Sequence, residues 1–181
     1  ALAALLNQAE AVLCSDWSHI NVDETRAPER ALGAKLIPLP STGGRISVDA
    51  VIDACGALGN PHHAQPGVLS LTQSTECGTC YSVDEIGALV EVAHARGLRV
   101  HLDGARIANA VAALGRGVEG LRDMVVATGV DAISFGGRKN GVLGAGAVVC
   151  LERELAAGAV LLREQVSEVA SRVRFVCGEL W

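Results

Sequence analysis

The stretch "LRVHLDGARIANAVAALG", residues 98–115, decides how the chain is read. "LRVHLD" has the length and apolar content of a buried strand that stops at Asp103, and "ARIANAVAALG" carries apolar residues at helical spacing. "DAISF" (131–135) is again a strand. A strand, a helix of ten or so residues and a second strand predict two parallel neighbours in one sheet.

The pattern repeats outward from there. "VLSLTQ" (68–73) is a strand, and "SVDEIGALVEVAHARG" (82–97) is the clearest helix, with Ser82 as its cap, Glu85 completing a capping box and Gly97 ending it. "AVLCS" (11–15) is a strand; "VDETRAPERALG" is a helix made short or late-starting by Pro28. "AKLIPLP" is extended, because two prolines forbid a long helix, and "SVDAVIDACGAL" is a helix capped by Ser47. "AGAVVCL" (145–151) is the last strand, and the chain from Glu152 reads as helix. The turn Gly136–Gly141 before that last strand is too short for a parallel crossover, so the strand is expected to run antiparallel. The fold class is α/β: three layers, α/β/α, around a mostly parallel sheet with one antiparallel strand, in one domain without repeats or linkers.

Composition agrees and narrows the function. Of 181 residues, 50% are hydrophobic but only 3% aromatic, so Ala, Val, Leu and Gly do the packing. The net charge is −5 with no Lys/Arg run, which argues against nucleic acid or an anionic membrane as partner. No apolar stretch reaches the roughly 20 residues that span a bilayer, and there is no signal-peptide pattern. Scattered cysteines inside apolar runs suit reduced thiols and a cytoplasmic setting. Cys77 and Cys80 stand apart, as a redox pair or half a zinc site, but His62 and His63 have the wrong spacing to complete a finger, and no metal is expected. The chain opens on "ALAALLNQAE" without Met and closes on "FVCGELW"; it is read as a fragment cut at both ends.

In open α/β sheets ligands bind beyond the carboxyl ends of the strands. Asp103 ends one strand, and Lys139, 36 residues later, lies in the glycine-rich turn "GGRKNG" after another. Taken singly, Asp103 could be a helix N-cap, Arg106 its surface partner and Lys139 a solvated turn residue. Together they place a carboxylate, a guanidinium and an amine on one edge, the set that pyridoxal phosphate chemistry requires. The amine forms a Schiff base with the aldehyde. The carboxylate keeps the pyridine nitrogen protonated so that the ring accepts electrons, and a cation near the phenolic oxygen tunes the lysine.

"HLDGARIANA", "LSLTQSTECGTCYS", "AHARGLRVHLDGAR" and "ISFGGRKNGVLGAGAVV" resemble the threonine aldolase / aromatic amino acid β-eliminating lyase family, pyridoxal-phosphate enzymes of the aspartate aminotransferase fold. The resemblance runs from about Ala1 to about Phe175. It implies pyridoxal 5'-phosphate as cofactor, Asp103 on its pyridine nitrogen, Arg106 near its phenolic oxygen, Lys139 as the Schiff-base lysine, and His19, in "SHINVDE", stacked on the ring and available for proton transfer. The implied reaction is retro-aldol cleavage of a β-hydroxy amino acid to glycine and an aldehyde. The implied assembly is a homodimer or homotetramer with sites between subunits. Residues 1–181 would be the large cofactor-binding domain, without the phosphate loop upstream and the small C-terminal domain. The chain departs from the family pattern at Glu76, where one branch has a substrate-contacting histidine, and at Arg138, where a small residue or Thr is usual. It departs again at Glu164, where a phosphate-holding lysine is usual; Arg163 and Arg172 are the substitutes. Arg138 and Glu164 speak for the alternative, a non-catalytic paralogue acting as partner subunit.

Overall fold

The computed structural model describes residues 1–166 and 173–180. In chain order its elements are α1 (Leu2–Leu5), β1 (Glu10–Ser15), α2 (His19–Val22), α3 (Ala27–Leu32), β2 (Lys35–Leu39), the hairpin β3 (Ser41–Thr42) and β4 (Arg45–Ile46), α4 (Val48–Ala54) and β5 (Gln65–Thr72). There follow α5 (Val83–His94), β6 (Arg99–Gly104), α6 (Ile107–Leu114), α7 (Gly117–Arg122) running into a π-helical turn at Asp123–Ala127, β7 (Ala132–Phe135), β8 (Ala147–Cys150), α8 (Arg153–Gln165) and α9 (Val173–Cys177).

Six strands form one sheet in the order β2-β1-β5-β6-β7-β8. Every neighbouring pair is parallel except the last, where β8 returns antiparallel with Val148 opposite Ser134. Side chains alternate between the faces of a strand, and the two faces carry different cores. Leu13, Leu69, Leu71, Val100, Leu102 and Ile133 point into the larger cluster, against Val51 of α4, Ile86, Leu89 and Val90 of α5 and Ile107 of α6. Val12, Cys14, Val68 and Ala132 point the other way, against Leu5 of α1 and Leu155 of α8. Helices therefore cover both faces, as the α/β reading requires.

Local signals explain where the helices begin. Ser82 accepts the Glu85 N–H while the Glu85 carboxylate takes the Ser82 N–H, a closed capping box at the start of α5, contributing about 1 kcal/mol. Ser47 caps α4 through the Ala50 N–H, and Pro28 sits in the first turn of α3, where its missing N–H costs nothing.

The order of strands also fixes where a ligand can enter. From β1 the chain passes to β2 on one side, whereas β5, β6 and β7 succeed one another on the other side. The loops leaving the carboxyl ends of β1 and β5 thus diverge, and the crevice they leave is the topological switch point, the usual ligand site of such sheets.

Candidate active site

Asp103 stands near the carboxyl end of β6, half-buried, on the face away from Leu102. One carboxylate oxygen accepts the Ala105 N–H at 2.9 Å. Arg106, not Asp103, occupies the N-cap position of α6, and it makes no side-chain cap bond, so the aspartate is not the helix cap that a plain structural reading allowed. Ser134 of β7 lies opposite Asp103 in register. Two residues beyond Ser134 the chain enters the turn Gly136–Asn140, whose single helical turn Gly137–Lys139 carries the lysine. The chain holds two lysines: Lys35 opens β2 at its amino end, and Lys139 alone lies at the carboxyl edge.

Close backbone approach brings the lysine turn to the aspartate loop. A Cβ on Gly136 would meet Ala105 Cα at 3.0 Å, and one on Gly137 would overlap the carbonyl oxygen of Ala145. The join is completed by Asn140, whose side-chain amide donates to the carbonyl oxygens of Gly136 (2.7 Å), Ala105 (3.2 Å) and Gly104 (3.3 Å) and accepts the N–H of Ala108 at 2.9 Å. The sequence reading did not single out Asn140; its only local signal is an Asn before Gly in a turn. No ion pair among the described residues engages Asp103, Arg106 or Lys139. A carboxylate, a guanidinium and an amine on adjoining loops, with none of them neutralised by a protein counter-charge, make an arrangement suited to a ligand that carries both charges.

His19 opens α2, just past the end of β1. Its Nδ1 lies 3.2 Å from Asp23 Oδ2 and its Nε2 lies 2.8 Å from Glu24 Oε1. Both nitrogens of the ring edge are thereby held by carboxylates. These two carboxylates, four and five residues downstream, were visible in "SHINVDE" and were not used. Across the switch point, Glu76 Oε1 accepts the backbone N–H of His19 at 2.8 Å, and Glu76 Oε2 is buried with no partner among the described residues. The segment bearing Glu76 is itself braced. Gln73 donates its backbone N–H to Asp103 O and pairs its side chain with both backbone groups of Tyr81, while Thr75 N–H donates to Thr79 O.

Beneath Asp103 on the same face, buried His101 bridges three strands. Its Nδ1 lies 2.9 Å from Ser70 Oγ of β5 and its Nε2 lies 2.9 Å from Ser134 Oγ of β7. Burial pushes the imidazole pKa down to about 3, so it is neutral and can donate to one serine while accepting from the other.

The other candidates fall elsewhere. Cys77 and Cys80 are free thiols in the turn before α5, and neither begins a helix, since α5 is capped by Ser82. Burial raises the Cys80 pKa, the opposite of an activated thiol. Among the described residues no group of three or more His, Cys, Asp or Glu is placed to hold a metal ion. Arg138, Arg163 and Glu164 are exposed; Arg172 lies outside the described residues. No helix among the described residues is long and apolar enough to cross a membrane.

Known proteins share this architecture. The model of the beta-eliminating lyase family matches residues 1–178. The chain belongs to the beta-eliminating lyase family. Within that family's reach it is 36% identical over 177 residues to a low specificity L-threonine aldolase of Pseudomonas aeruginosa, covering 97% of this chain and 50% of that protein. It is 33% identical, with the same coverage, to a low specificity L-threonine aldolase of a Pseudomonas species. A solved threonine aldolase of Leishmania major superposes with a TM-score of 0.82 at 29% identity, over 90% of this chain and 46% of that one. The fold alone is shared with an archaeal alanine:glyoxylate aminotransferase, at a TM-score of 0.62 and 19% identity over 90% of this chain and 39% of that one. The chain spans about half the length of the curated relatives it matches. For a beta-eliminating lyase, the mostly parallel sheet and its antiparallel last strand are the architecture that the sequence predicts.

Proposed function

We propose that the protein cleaves β-hydroxy amino acids, threonine among them, to glycine and an aldehyde, with pyridoxal 5'-phosphate as cofactor. One observation carries this reading: one of only two lysines lies in a turn pinned through Asn140 to the loop that bears Asp103 and Arg106. The names of the relatives, low specificity L-threonine aldolase and threonine aldolase, support the choice of substrate.

The residues fit the cofactor. Asp103 has a carboxylate oxygen to spare for a pyridinium N–H, Arg106 has no acidic partner among the described residues, and Lys139 is exposed at the same edge. When bound, pyridoxal phosphate supplies an electron sink for bond breaking at the substrate α-carbon. Lys139 would hold its aldehyde carbon until substrate amine takes its place. Asp103 would keep a proton on the ring nitrogen, Arg106 would face the phenolic oxygen and His19 would stack on the ring. As the Cα–Cβ bond breaks, the proton of the β-hydroxyl leaves, and His19 would receive it once one of its ring nitrogens has given its own hydrogen up to Asp23 or Glu24, which flank them. A second copy of the chain is the partner this reading calls for. Trp17 and Val22, flanking His19 and exposed to 58% and 56%, are the apolar surface it would cover.

The experiment is a cleavage assay on the full-length protein with pyridoxal phosphate and L-threonine, reading acetaldehyde and glycine in equal amounts. Activity that Lys139→Ala reduces at least about 10³-fold supports the reading. A folded protein that binds the cofactor yet cleaves no β-hydroxy amino acid would make it the non-catalytic paralogue instead.

A further inference from the structure

We propose that Asn140 is a positioning residue whose single amide couples the Lys139 turn to the Asp103–Arg106 loop, so that amine and carboxylate meet one ligand together. The proposal rests on the reading of Lys139 as the cofactor lysine.

A primary amide offers two donor hydrogens and one acceptor oxygen, and at Asn140 both kinds of group are in use. The nitrogen faces three carbonyl oxygens, one at the exit of β7 (Gly136) and two just past Asp103 (Gly104 and Ala105). The oxygen takes the N–H of Ala108, in the first turn of α6, from 32 residues away. First-turn N–H groups have no partner inside their own helix. Arg106, at the N-cap, cannot supply one, because a guanidinium only donates. Asn140 therefore caps α6 from outside, and the arginine side chain is left for a ligand.

The backbone N–H of Asn140 donates to Gly137 O at 2.8 Å, closing the turn that carries Lys139. Side chain and backbone of one residue thus tie together the end of β6, the start of α6 and the lysine turn. Lys139 makes no side-chain hydrogen bond or ion pair among the described residues, so its amine is aimed by this turn alone. Aspartate, of the same length, loses the donors, and alanine loses donors and acceptor alike.

The test uses the full-length protein and the variants Asn140→Ala and Asn140→Asp. Hydrogen exchange of the Ala108 amide is measured without cofactor. Borohydride trapping of pyridoxal phosphate is then followed by peptide mass spectrometry, with the unmodified Lys139 peptide as internal reference, and kcat and KM for threonine are determined. Asn140→Asp keeps an acceptor for Ala108 but presents no donor to the three carbonyls. It should retain protection at Ala108, lose about tenfold in Lys139 trapping relative to wild type, and lose about 10²-fold in kcat with KM nearly unchanged, the penalty of a misplaced group. Asn140→Ala should lose the exchange protection as well.

Trapping and kcat at the wild-type level in either variant would overturn the proposal, and so would loss of fold in both, which would make the residue purely structural. The two readings can fail separately. If Lys139 is never labelled in the wild type, the cofactor reading fails, while loss of Ala108 protection in Asn140→Ala still supports the coupling. Unchanged protection there overturns it.

Discussion

Glu76 and His19, 57 residues apart, are joined across the switch point of the sheet by a 2.8 Å hydrogen bond from the His19 backbone N–H to Glu76 Oε1. The bond links the loop leaving β5 to the helical turn that follows β1, the two segments that wall the crevice. It orients a histidine whose ring edge is already held by Asp23 and Glu24. A carboxylate of one loop thus braces the histidine of the other.

Glu76→Ala removes the acceptor and should lower stability by about 2 kcal/mol, the usual worth of a hydrogen bond to a charged group. Glu76→Gln keeps an acceptor oxygen for His19 and should recover most of that loss in urea denaturation. Equal destabilisation by both substitutions would mean that the charge, not the bond, is what His19 requires.

Gly137 is needed for space. A Cβ there would overlap the Ala145 carbonyl oxygen, and backbone cannot yield as a flexible side chain can. Gly137→Ala should cost about 3 kcal/mol, at the upper end for overpacking, and should displace Lys139 with the turn. Gly144→Ala, in the same loop with nothing within 4 Å of its added Cβ, is the matched control and should be near neutral in thermal melts.

The buried Ser70–His101–Ser134 row makes stability depend on pH. His101 keeps a folded pKa of about 3 because burial disfavours its charged form, against roughly 6.5 when unfolded. The stability linked to its neutral form is therefore complete above pH ~6.5 and is lost as pH falls towards 3, because the unfolded chain binds the proton first. Between pH 7 and 4.5 this amounts to about 3 kcal/mol. His101→Gln should be less stable than wild type at pH 7, and the gap should narrow by about that amount at pH 4.5. A gap independent of pH would show that folding does not lower the His101 pKa.

The sequence revealed what local chemistry encodes. The capping box of α5, the Ser47 cap of α4 and the short turn before β8 were all readable because their partners lie within a few residues. The hairpin β3–β4 was missed because two-residue strands have no period to detect. The helix α7 and its π-helical turn were missed because glycines at 115, 117, 120 and 129 read as interruptions. In the site, Asp103, Arg106 and Lys139 stood out by residue type and position, and His19 only through the family resemblance. Asn140 and the His101 row did not, because each bonds to partners some 30 residues away or more. Only the register of β5, β6 and β7 brings those partners together.

The most direct test of the account is the identity of the lysine that takes the cofactor. The full-length protein is mixed with pyridoxal phosphate, reduced with borohydride, digested and mapped by mass spectrometry. The account expects a pyridoxyl group on Lys139, in stoichiometric amount, with Lys35 unlabelled. A folded protein labelled equally on both lysines, or on neither, would contradict it.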